Sequence, residues 1–156
     1  MTIKQQYYET VAKTIIKNLA SRQIEGFFCP TKEEACEKAL SFAKEGTSVS
    51  FGGSMTLEET GILSGLRSLN TITLYDRSTG KSPEEVKKIM HDALSADTYY
   101  VSTNAITVKG ELINIDGNGN RVAALIYGPE QVVIVAGMNK VVPDIEDGIR
   151  RVRNSA

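Results

Sequence analysis

The sequence predicts an α/β fold: a mostly parallel sheet with helices on both faces and one inserted β-hairpin. Three observations predict it. Short runs rich in β-branched and aromatic residues recur along the chain as TSVSF (47–51), TITLYD (71–76), TYYVST (98–103) and VVIVAG (132–137). Between them lie segments opened by Ser/Thr-x-x-Glu, the signature of a capped helix start. Strand and helix therefore alternate, which implies right-handed βαβ units and a sheet buried on both faces.

The elements follow in order. Residues 3–24 form a helix, because Ile3, Tyr7, Val11 and Ile15 recur at i, i+4 with Tyr8, Ala12, Ile16 and Leu19 beside them. Gly26 ends it, and FFC (27–29) is a short strand. Thr31-Lys32-Glu33-Glu34 is a capping box that opens a helix to about Lys44, closed by Gly46. After strand 47–51 come Gly52-Gly53-Ser54 and a second box, Thr56-Leu57-Glu58-Glu59, opening a helix through Leu57, Leu63, Leu66 and Leu69. After strand 71–76, Ser82-Pro83-Glu84-Glu85 is a third box, with proline at the first helical position, where its missing N–H costs nothing. That helix runs to about Leu94. Beyond strand 98–103, Ile106-Thr107-Val108 and Leu112-Ile113-Asn114-Ile115 flank Lys109-Gly110 as a hairpin. VAALIY (122–127) fits helix or strand by pattern and is read as a short helix ended by Gly128-Pro129. Pro143-Asp144 starts a last helix carrying Ile145, Ile149 and Val152. No linker, repeat or low-complexity segment interrupts the chain, so residues 1–156 read as one domain.

Composition bounds the function. The chain has 156 residues, 41% hydrophobic and 24% charged, with a formal net charge of -1. These are values of an ordinary globular protein, and no clustered basic face points to nucleic acid or an anionic membrane. No apolar run reaches the roughly 18 residues of a membrane span, and the N-terminus lacks the apolar core of a signal peptide. A cytoplasmic location is the default. Cys29 and Cys36 match neither a CxxC pair nor a zinc knuckle and read as reduced thiols. The three arginines near the end, Arg150, Arg151 and Arg153, read as complements to a helix dipole.

Chemistry in an open α/β sheet gathers at the carboxyl ends of the strands. Gly52-Gly53-Ser54 with Thr56 falls there, between a strand and a helix start, where backbone N–H groups can meet an anion; a tight turn is the plain alternative. Asn104, and Asn139 with Lys140, fall at strand ends too. The loop NIDGNGNR (114–121) is dense in polar groups. Asp116, Asn118 and Asn120 occupy positions one, three and five of a calcium loop, but Arg121 stands where glycine is required and Tyr127 where glutamate is. That excludes an EF-hand. The loop then either contacts a ligand or is fixed by an Asp116–Arg121 pair. His91, the one histidine, lies among surface lysines and reads as solvated. Neither a serine–histidine–acid arrangement nor metal-ligand spacing is present. Acid–base work would fall to Asp116 or Glu58, with Lys140 holding an anion. No cofactor is implied.

The stretches GGSMTLEETGIL, TNAITVKGELINIDGNGNRVAALIYGP and VVIVAGMNKVVPDIEDGIRRVRN resemble the lactate-utilization (LUD) domain family from about residue 50 onward. The resemblance implies a fold like that of ribose-5-phosphate isomerase, glucosamine-6-phosphate deaminase and coenzyme A transferases, which bind phosphorylated or acyl substrates at strand ends. It also implies a place in lactate or related carboxylate metabolism beside oxidoreductase partner subunits. Short members of the family continue past the last helix into a cysteine-bearing tail, whereas this sequence ends at Ala156, so iron–sulfur ligation is not carried over to Cys29 and Cys36. Three readings stand. The chain is an accessory protein binding a small anionic metabolite, an isomerase- or transferase-type enzyme using a carboxylate, or a structural module. A homodimer is the common default for its assembly.

Overall fold

The computed structural model describes residues 2–155. Its helices are α1 (Ile3–Ala20), α2 (Lys32–Leu40), α3 (Met55–Glu59), α4 (Ile62–Ser68), α5 (Pro83–Asp92), α6 (Asn120–Ile126) and α7 (Ile145–Ser155). Its strands are β1 (Ser48–Phe51), β2 (Thr73–Tyr75), β3 (Thr98–Val101), β4 (Ala105–Thr107), β5 (Leu112–Ile113), β6 (Gln131–Ile134) and β7 (Val141–Val142). The described chain divides into two compact units. One comprises Met1–Ala35, Thr103–Ile115 and Ala136–Ala156; the other comprises Cys36–Ser102 and Asp116–Val135.

The unit built from Cys36–Ser102 and Asp116–Val135 holds a four-stranded sheet in the order β2-β1-β3-β6. Every pairing in it is parallel. The expected α/β architecture, a parallel sheet flanked by helices, is therefore present. Successive side chains of a strand point to opposite faces, and the sequence uses both. Val49 and Tyr100 pack with Leu57, Ile62, Leu63 and Leu66 from α3 and α4 and with Ala39 of α2. Tyr99 and Val101 pack on the other face with Ala124 of α6, Leu94, Val132 and Ile134. The Tyr100 hydroxyl, fully buried, donates to the Ala39 carbonyl at 2.9 Å. At the start of the sheet the Asp97 carboxylate accepts from Ser48 N and Oγ, at 2.7 and 2.6 Å, and ties β1 to β3.

The other unit carries a three-stranded sheet, β5-β4-β7, in which β4 pairs antiparallel with β5 and parallel with β7. The β4–β5 pair is the expected hairpin. Its turn needs a residue at positive φ, and Gly110 supplies it at +86°. Ala105, Val142 and Val152 form the core against Ile113. The Asn18 side chain of α1 donates to the Val108 carbonyl at 2.9 Å.

Several boundaries differ from the sequence reading. FFC (27–29) forms no strand: Gly26 is drawn against Ile16 and Leu19 of α1, and Phe27 is 46% exposed. The first helix stops at Ala20, because the chain turns through Gln23 in the left-handed region. The second stops at Leu40, not Lys44. Thr56 does not cap its helix. Ser54 does, accepting from Leu57 N, and so Thr56 lies inside α3. That helix ends after one turn, where Thr60 Oγ1 bonds back to the Thr56 carbonyl, and α4 restarts at Ile62 after Gly61. The third start is as expected: Ser82 caps α5 with Pro83 at its first turn. VAALIY (122–127) falls mostly in helix α6. The pair β7 carried no periodic signal, being two residues long.

Replacing Tyr100 by Phe removes one buried hydrogen bond and keeps the packing. We expect a loss of about 1 kcal/mol in urea unfolding, and no measurable loss would mean the hydroxyl bond to Ala39 does not hold the strand.

Candidate functional site

Chain order places a crevice in the larger sheet. From β1 the chain moves to β2 on one side, then crosses back to β3 on the other side of β1. Connections therefore leave β1 and β3 in opposite directions, and ligands of open α/β sheets bind at such a switch point, outside the carboxyl ends of the strands. Gly52 and Gly53 follow β1 there, Arg77 follows β2, and Ser102 follows β3.

Gly52 is a point of close approach. Its N–H donates to the Tyr100 carbonyl at 2.9 Å, prolonging the ladder between β1 and β3. A Cβ at this position would stand 2.9 Å from Tyr99 Oη, 3.4 Å from Val101 Cγ2 and 3.6 Å from Arg121 Cδ. Only glycine leaves these groups together. Gly53 is exposed, and the Arg77 guanidinium lies against it, 2.5 Å from where a Cβ would stand.

Arg77 owes its position to its neighbour. Asp76, 5% exposed, accepts from Ser78 N and Oγ on one carboxylate oxygen and from Arg67 Nε at 2.8 Å on the other. Burial alone would raise the Asp76 pKa. The bonds from Arg67 and Ser78 outweigh burial and hold it below the usual carboxylate value. With Asp76 saturated by Arg67, Arg77 has no ion-pair partner among the described residues.

The loop from Asp116 to Arg121 is tightly organised. Arg121 Nε donates to Asp116 Oδ1 at 2.8 Å, and the two side chains are only 13% and 11% exposed. The second Asp116 oxygen accepts from Val122 N at 2.7 Å, capping α6 from outside the helix, and Arg121 also reaches the Ser102 carbonyl at 3.2 Å. The two charges neutralise each other, and the positive charge of Arg77 remains.

Two cavities adjoin this arrangement. A small one of about 20 Å³ is lined by Ser50, Tyr75, Arg77, Tyr99, Asn120 and apolar groups from α5. A larger open groove of about 750 Å³ runs between α5 and the loop, past Val86, Met90, His91, Asn118, Gly119 and Ala123. Burial raises the Tyr99 pKa to about 12, and the nearby Asp116 carboxylate adds to the effect.

The candidate residues are distributed unevenly. Gly52, Gly53, Asp116, Arg121 and Asn120 come together in the unit that carries the larger sheet. Asn118 lines the groove with Asn120. Ser54 and Thr56 are occupied within α3, and Glu58 is exposed on it. None of the three lines either cavity. Asn104, Asn139 and Lys140 belong to the other unit. There, Asn104 Oδ1 accepts from Ile115 N at 3.1 Å, Asn139 folds against Gly137, and Lys140 closes a 3-10 turn. His91 is exposed on α5, as its lysine-rich surroundings suggested. Sequence reasoning missed Arg77 and Tyr99. Arg77 follows an apolar run and precedes no motif. A signal was available for Tyr99, since adjacent tyrosines in a strand must face opposite ways.

Among the described residues, no three His, Cys, Asp or Glu side chains converge as ligands of one metal ion. No helix among them is long and apolar enough to cross a membrane. The sequence profile of the LUD domain matches residues 12–156. The chain belongs to the LUD domain family. The match runs through segments of both units of this LUD domain, and membership suggests a function related to lactate utilization. No curated protein matches the chain significantly.

Two outcomes follow. Asp116→Ala leaves Arg121 half-buried without its carboxylate, and removing one partner of a buried pair costs about 3 kcal/mol. Asp116→Asn, which retains an acceptor for Val122 N, costs less. Urea unfolding compares the two, and equal, negligible losses would remove the pair as the loop's anchor. Because the folded pKa of Asp76 lies below the ordinary 3.8, its contribution to stability is full above that value and is lost as pH falls through the folded pKa. Wild type therefore loses more stability than Asp76→Asn on acidification below about pH 4, as unfolding midpoints measured across the acid range would reveal.

Proposed function

We propose that this LUD-domain protein binds a small carboxylate at the strand ends and serves as an accessory component in lactate or related carboxylate metabolism. One observation carries the reading: a guanidinium without an anionic partner, Arg77, rests against an exposed glycine at the switch point of a parallel sheet. Arginine presents a planar fork of donors that matches a carboxylate, and the backbone at Gly53 leaves room for the ligand to approach.

An accessory role accords with the state of the two carboxylates considered for acid–base work. Asp116 is committed to Arg121 and to the start of α6, and Glu58 stands exposed outside both cavities. Ile126 and Tyr127, 78% and 90% exposed at the end of α6, offer apolar surface of the kind an oxidoreductase partner subunit would cover.

Thermal unfolding with L-lactate, pyruvate and sugar phosphates tests the reading. A ligand at one hundred times its Kd adds about 2.7 kcal/mol, or roughly 5–10 °C for a domain of this size. We expect such a shift with a carboxylate in the wild type and its loss in Arg77→Ala. Gly53→Val should behave alike, because the new side chain displaces the guanidinium without entering the core. A folded wild type that shifts with none of these compounds would refute carboxylate binding.

A further inference from the structure

We propose that the carboxylate held at Arg77 belongs to a ligand with an apolar body, a medium-chain or aromatic 2-hydroxy or 2-oxo acid. The body lies in the groove between α5 and the 116–120 loop, and the Tyr99 hydroxyl donates to the ligand's polar end. The proposal rests on the carboxylate reading above and adds to it the class of acid and the residue that fixes its polar end.

The argument starts from the two tyrosines of β3. Both are buried, at 2% exposure for Tyr99 and 0% for Tyr100. Tyr100 donates to the Ala39 carbonyl, whereas the Tyr99 hydroxyl has no hydrogen-bond partner among the described residues. Among the described residues no fully buried side-chain nitrogen or oxygen lacks a partner, so this hydroxyl is open to the space beside it and can be satisfied from outside the protein. Tyr99 is part of the wall of the small cavity, together with Arg77 and Asn120. With its pKa raised to about 12, it remains a neutral donor throughout the physiological range.

The shapes of the two cavities define the rest of the ligand. The smaller, about 20 Å³, accommodates one oxygen-sized group and no more. Its walls at Met90, Leu94 and Asn120 are also walls of the 750 Å³ groove, so the two spaces lie side by side. The groove has the volume of a small-molecule site. Val86, Met90, Leu94 and Ala123 give it an apolar lining, which the methyl group of lactate would leave uncovered. Lys87 at the edge suits a ligand of negative charge.

Isothermal titration of the whole protein with L-lactate, 2-hydroxybutyrate, 2-hydroxyhexanoate, 2-hydroxyoctanoate and phenyllactate tests this. Each buried methylene tightens binding by up to about fourfold, so 2-hydroxyoctanoate should bind on the order of a hundredfold tighter than L-lactate. Ala123→Phe should erase that gain, so that 2-hydroxyoctanoate binds no tighter than L-lactate. His91→Trp, at an exposed position, fills the same groove without touching the core and should do likewise. Tyr99→Phe should weaken the whole series by about tenfold and preserve its dependence on chain length. Arg77-dependent binding of L-lactate with no gain along the series would overturn the apolar ligand and leave the carboxylate reading intact. Absence of binding for every acid would overturn both. A Tyr99→Phe protein that binds the series like wild type would remove the hydroxyl from recognition.

Discussion

Strand β3 has a parallel neighbour on each edge and helices over each face, so all four of its residues are buried. A strand in that position cannot place a polar side chain without providing it a partner, and the sequence sets two tyrosines there in succession. The hydroxyl on one side finds a helix carbonyl. On the other side it reaches the glycine after β1 and the wall of a cavity. Gly52, the Asp116–Arg121 pair and Arg77 are all arranged about this second hydroxyl. Enlarging Gly52 would press on Tyr99 Oη, and Arg121 passes close enough to touch the same glycine.

The polar loop from Asp116 to Arg121 is divided by residue. Asp116 and Arg121 turn inward and hold the start of α6, where an uncapped helix would leave N–H groups unsatisfied. Asn118, Gly119 and Asn120 turn toward the groove. The alternative between structural pair and ligand contact thus has no single answer for the segment. Charge follows the same division. The inward pair is neutral, and the cation that remains, Arg77, comes from a different loop.

Much of the fold was legible because it rests on local signals. Apolar runs marked β1, β2, β3 and β6 to within three residues, and Ser82-Pro83 marked the start of α5. Errors arose where two local signals competed or where tertiary contact decided. Ser54 and Thr56 were both fit to cap a helix, and only the geometry after β1 chooses between them. FFC has the composition of a strand and forms none. The site was less legible for a related reason. Arg77 lies against Gly53 because β2 pairs with β1 in a given register, and single-sequence patterns carry no register between distant strands. Asn104, Asn139 and Lys140 were grouped with Gly52 because all follow strands, but they follow strands, or strand ends, that lead into a separately packed unit.

The way the chain is divided between the two units bears on the order in which they form during synthesis. The core of the three-stranded sheet joins Ala105 and Ile113 to Val142 and Val152, residues some forty positions apart. The parallel sheet has its last strand, β6, complete at Ile134. A ribosome therefore releases every strand of the parallel sheet before β7 and α7 exist to close the other unit. Until then the β4–β5 hairpin waits without β7 and α7, a span in which chaperones and unwanted pairing compete for it. Mutations in α7 should therefore impair biogenesis more than their effect on the finished fold would suggest.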